Sequence, residues 1–207
     1  ADGDETCEGA TYSTTTNSDG SFSLEVDEGV SGLILAEEGF NSVTNDGDAF
    51  VMAIEDPVTD QNFVISPLST MLYIDDRFSF TSLKDKLGID SNFMIRFDDP
   101  YLSVNDSASN KAALVNTQIL IMYESCSVLQ ELSGGSGNAS CVSAINDGIF
   151  NRDSSVETSL GDTTLVRDVL LNVDLPNYTV TNEQLENLSG SFSSFLPWLL
   201  LRKSTIS

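Results

Sequence analysis

Seventeen Asp and Glu residues precede the first basic residue of the chain, Arg77. All nine Lys and Arg lie from Arg77 onward, where they meet the other fifteen acids. Residues 1–76 therefore carry −17 of the formal −23, and the remaining residues carry −6. No side-chain ion pair can form within the first segment, and its self-repulsion opposes compaction. Its folding must rest on turns, backbone hydrogen bonds and apolar contact. The charge must be screened by salt or by a bound cation such as Ca²⁺. Such a chain suits a saline, calcium-bearing medium, which points outside the cell.

The composition narrows the classes further. At 207 residues and 40% hydrophobic, the chain can bury a core, so disorder throughout is not expected. Nucleic acid is a poor partner and an anionic membrane surface is another, because both need clustered Lys and Arg. No apolar run approaches the roughly 20 residues of a spanning helix. The chain opens at Ala1 with neither Met nor a signal-peptide pattern, as expected of a piece processed or excised from a longer precursor.

Two periodicities divide the chain. From Thr14 to Val26 a polar turn, Asn17-Ser18-Asp19-Gly20, separates two short strand patterns. In the second of these, Phe22, Leu24 and Val26 alternate with Ser21, Ser23 and Glu25, the period of a half-buried strand. Gly32–Ala36 and Ala49–Ile54 are further apolar runs, and Asn45-Asp46-Gly47-Asp48 is a turn between them. Strands at this spacing predict a small antiparallel β-sandwich over residues 1–62.

The helical period begins at Ser66-Pro67, where Ser suits the N-cap and Pro the first helical position. Residues 63–207 are expected to form a helical module. Its helices fall at Ser82–Leu87 before Gly88, then Ala108–Leu132, Cys141–Phe150 and Thr164–Val173. A last helix opens with the capping box Thr181-x-x-Gln184. The predicted class is α+β.

The chain has three cysteines. Cys126 and Cys141 flank the flexible Ser133–Gly137 link, so antiparallel helices on either side bring the two thiols within bridging reach. A disulfide between them is expected in an oxidising compartment, which leaves Cys7 over. Four Asn-x-Ser/Thr sequons stand at Asn105, Asn138, Asn177 and Asn187, about the number chance supplies in so Ser/Thr-rich a chain.

Several short motifs resemble a module of very large secreted bacterial surface proteins and adhesins. They are Asp19-Gly20-Ser21-Phe22, Ser66-Pro67-Leu68-Ser69-Thr70-Met71-Leu72, Leu87-Gly88-Ile89 and Asp98-Asp99-Pro100. In such proteins a carboxypeptidase-regulatory-like, transthyretin-like β-sandwich precedes a helix opening Ser-Pro-Leu-Thr-Thr-Leu. Ser69 and Met71 depart from that pattern. The resemblance covers roughly residues 1–130 and implies a stalk, filament or adhesion component without catalysis. It also implies that residues 1–9 end an acidic Ca²⁺-binding loop.

The residues themselves offer the same ligand. Asp2, Asp4, Thr6 and Glu8 alternate oxygen-bearing side chains, and Asn17 with Asp19, or Asp46 with Asp48, can add more if the loops converge. The competing reading is turn chemistry, which demands Asn, Asp and Gly without any metal. There is no His, which removes His-based catalysis and makes a zinc centre a poor reading. The carboxylate doublets Asp75-Asp76 and Asp98-Asp99 make poor facing pairs, because neighbours on a strand or helix point apart. Near the C-terminus, Phe192, Phe195, Leu196, Trp198 and Leu199 form an apolar stripe, expected either on the helical core or at a subunit interface.

The expected function is an extracellular structural or adhesive one, by contact with proteins or glycans and stiffened by Ca²⁺. Two alternatives are a self-assembling filament subunit, whose partners are copies of itself, and a carbohydrate-binding module or carboxylate glycosidase.

Overall fold

The computed structural model describes residues 7–37, 40–41, 46–47, 51–57, 61–101, 106–133, 139–153 and 157–173, with single positions between 181 and 190. Helix α1, Pro67–Ile74, begins as its residues dictate. Ser66 and Ser69 cap each other reciprocally, and Pro67 occupies the first turn, where its missing N–H costs nothing. Helix α2, Phe80–Leu87, repeats the device with Ser79 and Ser82 and stops at Gly88, which takes the left-handed conformation at φ 63°. Helix α3 spans Ser107–Ser133, α4 spans Ala139–Phe150, and α5 spans Thr163–Asn172 behind an Asp162 N-cap.

These helices share one core. The apolar stripe of α3 (Ala112, Val115, Ile119, Met122 and Cys126) is buried against Leu68 and Met71 of α1, Leu83 and Leu87 of α2, and Ile145 and Ile149 of α4. Leu165 and Val169 of α5 close the other side of α4. Gly148 lets α5 approach there, since a methyl group in its place would press on Val169 and Leu165. The expected disulfide is present, joining Cys126 of α3 to Cys141 of α4 with Cα atoms 5.7 Å apart.

The predicted β-sandwich is not. Two antiparallel ladders are described. One pairs β1 (Leu33–Ala36) with β4 (Met52–Glu55), and the other pairs β2 (Phe40–Asn41) with β3 (Asp46–Gly47). A sandwich needs two stacked sheets that bury a core between them. Here no described residue from 7 to 37 is fully buried. Phe22, Leu24 and Val26 do alternate half-buried with exposed neighbours, as the pattern requires, yet no strand forms there. Period-two alternation reports which side of an extended chain is shielded, not whether the backbone is paired. The Asn17–Gly20 turn does form, with Gly20 N–H donating to Asn17 C=O at 2.9 Å.

Candidate functional site

The Ser66–Thr70 segment is the first candidate, since it carries the surface-protein resemblance. Its hydroxyls are turned inward. Ser69 Oγ–H donates to Ala53 C=O of β4 at 2.9 Å, and Ala53 N–H donates to Thr70 Oγ1 at 2.9 Å. Thr70 Oγ–H also reaches Ser66 C=O at 2.8 Å. Leu68 N–H, one of the amides left over at a helix start, donates to Asn116 Oδ1 of α3 at 3.0 Å. The motif is thus a junction that docks β4 and α3 on the start of α1. Ser66, Ser69, Thr70 and Asn116 are all buried.

The second candidate is the cluster of charges around Arg77. Its guanidinium takes both carboxylate oxygens of Asp75, Nε to Oδ1 at 2.8 Å and Nη2 to Oδ2 at 2.5 Å. Nη2 also donates to Asp147 Oδ1 of α4 at 2.6 Å, and the group lies 4.5 Å over the Phe150 ring. Asp75 is buried, so Arg77 hydrogen bonding holds its carboxyl below the ordinary value against the opposing effect of burial. The Arg77 pKa is raised for the same reason. Lys86 sits beside it, donating to the carbonyls of Phe150 at 3.0 Å and Arg152 at 2.8 Å, which lie at the end of α4.

Three other bases follow suit, while Arg96 stands over the Phe80 ring. Lys84 binds the carbonyls of Ser91 and Phe93, Lys111 pairs with Glu157, and Arg152 bridges Thr164 and Asp168 of α5. These cations clasp the helical body, and their ion pairs all lie between Asp75 and Asp168.

The predicted calcium ligands are used differently. Asp19 Oδ1 accepts from Ser21 N–H at 3.0 Å and Ser21 Oγ–H at 2.7 Å, which lowers its pKa. Asn17 Nδ2–H donates to Ser21 Oγ at 3.0 Å. Both side chains therefore serve their own turn. Glu8 is exposed and Asp46 lies in β3. Asp2, Asp4, Thr6 and Asp48 lie outside the described residues. Among the described residues no three acidic or cysteine side chains converge as a metal group. Of the sequons, Asn187 is helical and exposed, while Asn105, Asn138 and Asn177 fall outside the description. So do Phe192, Phe195, Leu196, Trp198 and Leu199.

Sequence reasoning passed over Asn116, Asp147 and Asn146. Asn116 follows Val115 on the core stripe of α3, and a polar residue on an apolar face is a readable sign of a buried hydrogen bond. Asn146 is 1% exposed, and neither of its amide atoms has a partner among the described residues. No protein family, curated protein or solved structure matches the chain.

Proposed function

We propose that the chain is an extracellular structural or adhesive module that acts by protein–protein or protein–glycan contact, with Ca²⁺ stiffening its acidic N-terminal segment. The observation that carries this reading is the Cys126–Cys141 disulfide at the centre of the helical core. A disulfide built into a core belongs to an oxidising compartment. Two further features support it. Arg77, Lys111 and Arg152 clasp the helical body, while the acids of residues 1–74 have no base in their own segment, which leaves their screening to the medium. The resemblance to modules of bacterial surface proteins points the same way.

The test is thermal unfolding in about 5 mM EDTA against about 5 mM CaCl₂, at roughly 150 and 500 mM NaCl, where a saturated native site adds about 2–4 kcal/mol. The expected result is a Ca²⁺-specific rise at both salts. A rise with NaCl alone would remove Ca²⁺ from the reading and leave general screening in its place.

A further inference from the structure

The β1–β4 ladder has two outer edges in different states. On β4, both the N–H and the C=O of Ala53 are taken by Thr70 and Ser69, so α1 closes that edge. Ala53 is paired with Leu35, and Asp56 N–H donates to Gly32 C=O at 2.8 Å. Bonded and non-bonded pairs alternate along an antiparallel ladder. Gly32, Ile34 and Ala36 therefore face β4, and the backbone groups of Leu33 and Leu35 point away from it. Among the described residues no backbone ladder continues on that side; its one hydrogen bond there is weak, the Cys7 thiol donating to Leu35 C=O at 3.8 Å, while Cys7 N–H donates to Glu37 Oε2 at 3.0 Å just past the strand. The strand itself, Leu-Ile-Leu-Ala, is uncharged and half-buried throughout. An apolar edge with no strand paired to it is a template for a further strand, which has only the Cys7 thiol contact to displace.

The same chain carries an extended segment that lacks a ladder. Phe22–Val26 has strand alternation, and no backbone hydrogen bond to it appears among the described residues. One ring contact, Phe22 on Phe63 with centroids 5.5 Å apart, rests it on the surface. Asp27–Gly32 joins the segment to β1 through a turn, Val30 N–H to Asp27 C=O at 3.2 Å, without pairing the two.

We propose that the outer edge of β1, displacing the Cys7 thiol, accepts the Phe22–Val26 segment of a second copy as an added strand, joining chains head to tail. Main-chain hydrogen bonds supply the affinity in such strand addition, and alternate apolar side chains set the register. Donor and acceptor are different surfaces, so the contact is heterologous and does not close on itself by symmetry. Asp27, Glu28 and Glu37 flank β1. They oppose the approach of another acidic segment, so salt strengthens the association. This proposal goes beyond the adhesive reading and does not depend on bound Ca²⁺.

The test is sedimentation velocity on the full chain from about 5 to 500 µM, in roughly 50 and 500 mM NaCl. Wild type and Leu24→Pro are compared. Proline removes a backbone N–H from the middle of the added strand, one that no ladder among the described residues uses. The expected result is a mass that grows with concentration and more so at high salt, weakened about tenfold or more in Leu24→Pro. Unchanged helical circular dichroism confirms that the variant is folded. A synthetic Ser21–Val26 peptide added to wild type should lower the mass and shift the Leu33 and Leu35 amide signals. If Leu24→Pro loosens the fold, the peptide competition decides alone. Wild type monomeric at every concentration, association untouched by the peptide, or shifts confined to other amides would each overturn the proposal.

Discussion

Between Leu68 and Val173 the apolar stripes of five helices are buried to within a few per cent of full exclusion, whereas from residue 7 to 37 no side chain is. The N-terminal segment does not lack apolar residues, since Phe22, Leu24, Val26, Leu33, Ile34 and Leu35 all fall there. Among the described residues it has no second layer. A helix buries its stripe against other helices close in sequence, and α1 to α4 do so within some eighty residues. A strand needs paired neighbours and a facing sheet. The acids sharpen the difference. In the helical body each described clasp brings a base to a carbonyl or carboxylate, Asp75 included, while in residues 1–74 the acids have no base in their own segment and add to one another's field.

Truncating an apolar side chain in each region is the strongest way to break this comparison. Leu68 is fully excluded from water, so Leu68→Ala should cost about 3–4 kcal/mol by lost burial and a residual cavity. Leu24 is half-buried and unladdered, so Leu24→Ala should cost well under about 1 kcal/mol. Urea titrations of dilute protein, followed by helical circular dichroism, measure both. Equal costs would mean that the N-terminal segment shares the core after all.

The same contrast explains what could be read in the sequence. The start of α1 and the end of α2 were legible because their causes are local, with Ser66 before Pro67 and Gly88 after Leu87 each acting within one turn; the Ser79 cap of α2, which starts it at Phe80 and not at Ser82, was missed. The disulfide was legible because a short link leaves two helices little choice but to run side by side. The sandwich was misread because alternation at Phe22, Leu24 and Val26 is a one-sided signal. It records shielding, and pairing depends on residues elsewhere. The junction at Ser66–Thr70 was half legible. The cap could be read, but the bonds to Ala53 and Asn116 span 16 to 48 residues. The Arg77 clasp was hidden for the same reason, since Asp147 lies 70 residues away and Asp75 reads as an ordinary helix end. The candidate metal site was built from turn residues, and at Asn17 and Asp19 the turn takes them.

Breaking the covalent link tests whether the helical body depends on it. Opening Cys126–Cys141 by Cys126→Ser with Cys141→Ser releases a loop with a sequence separation of 15, worth about 3 kcal/mol in chain entropy. The urea midpoint should fall accordingly, and the slope of the transition should rise somewhat, because the uncrosslinked unfolded chain exposes more surface. An unchanged midpoint would mean that packing around the two sulfurs already holds α3 on α4.

The Arg77 clasp sets how the helical body responds to acid. Because Arg77 lowers the Asp75 pKa in the folded state, its stabilisation is complete above the ordinary value of 3.8 and is lost as pH falls below it. Asp106 and Asp162 cap helices and have lowered pKa values too, through hydrogen bonds from Ser109 and Thr164 respectively, so they add to the same acid loss. Asp75→Asn should cost about 2 kcal/mol at pH 7, a buried-pair value discounted because Arg77 is 40% exposed. It should also flatten, without abolishing, the fall in melting temperature between about pH 5 and 2. A parallel fall in both proteins would place the acid response in the caps instead.

The smallest effect comes from one substitution made at two matched positions. Gly20 and Gly88 both hold positive φ, at 81° and 63°, so Gly→Ala imposes similar local strain of about 1 kcal/mol at each. Around Gly20 there is open space, and only its own turn is affected. At Gly88 the new methyl meets the Glu157 carboxylate, which pairs with Lys111 of α3, and the adjoining Thr158 N–H is bound to Lys86 C=O at 2.6 Å. Strain at Gly88 therefore reaches α2, α3 and the approach to α5 together. Gly88→Ala should lower the melting temperature of the helical signal by several degrees, and Gly20→Ala should leave it unchanged. A matching drop for Gly20→Ala would show that the acidic segment and the helical body unfold as one unit, and the contrast between the two regions would then lie in their packing and not in their stability.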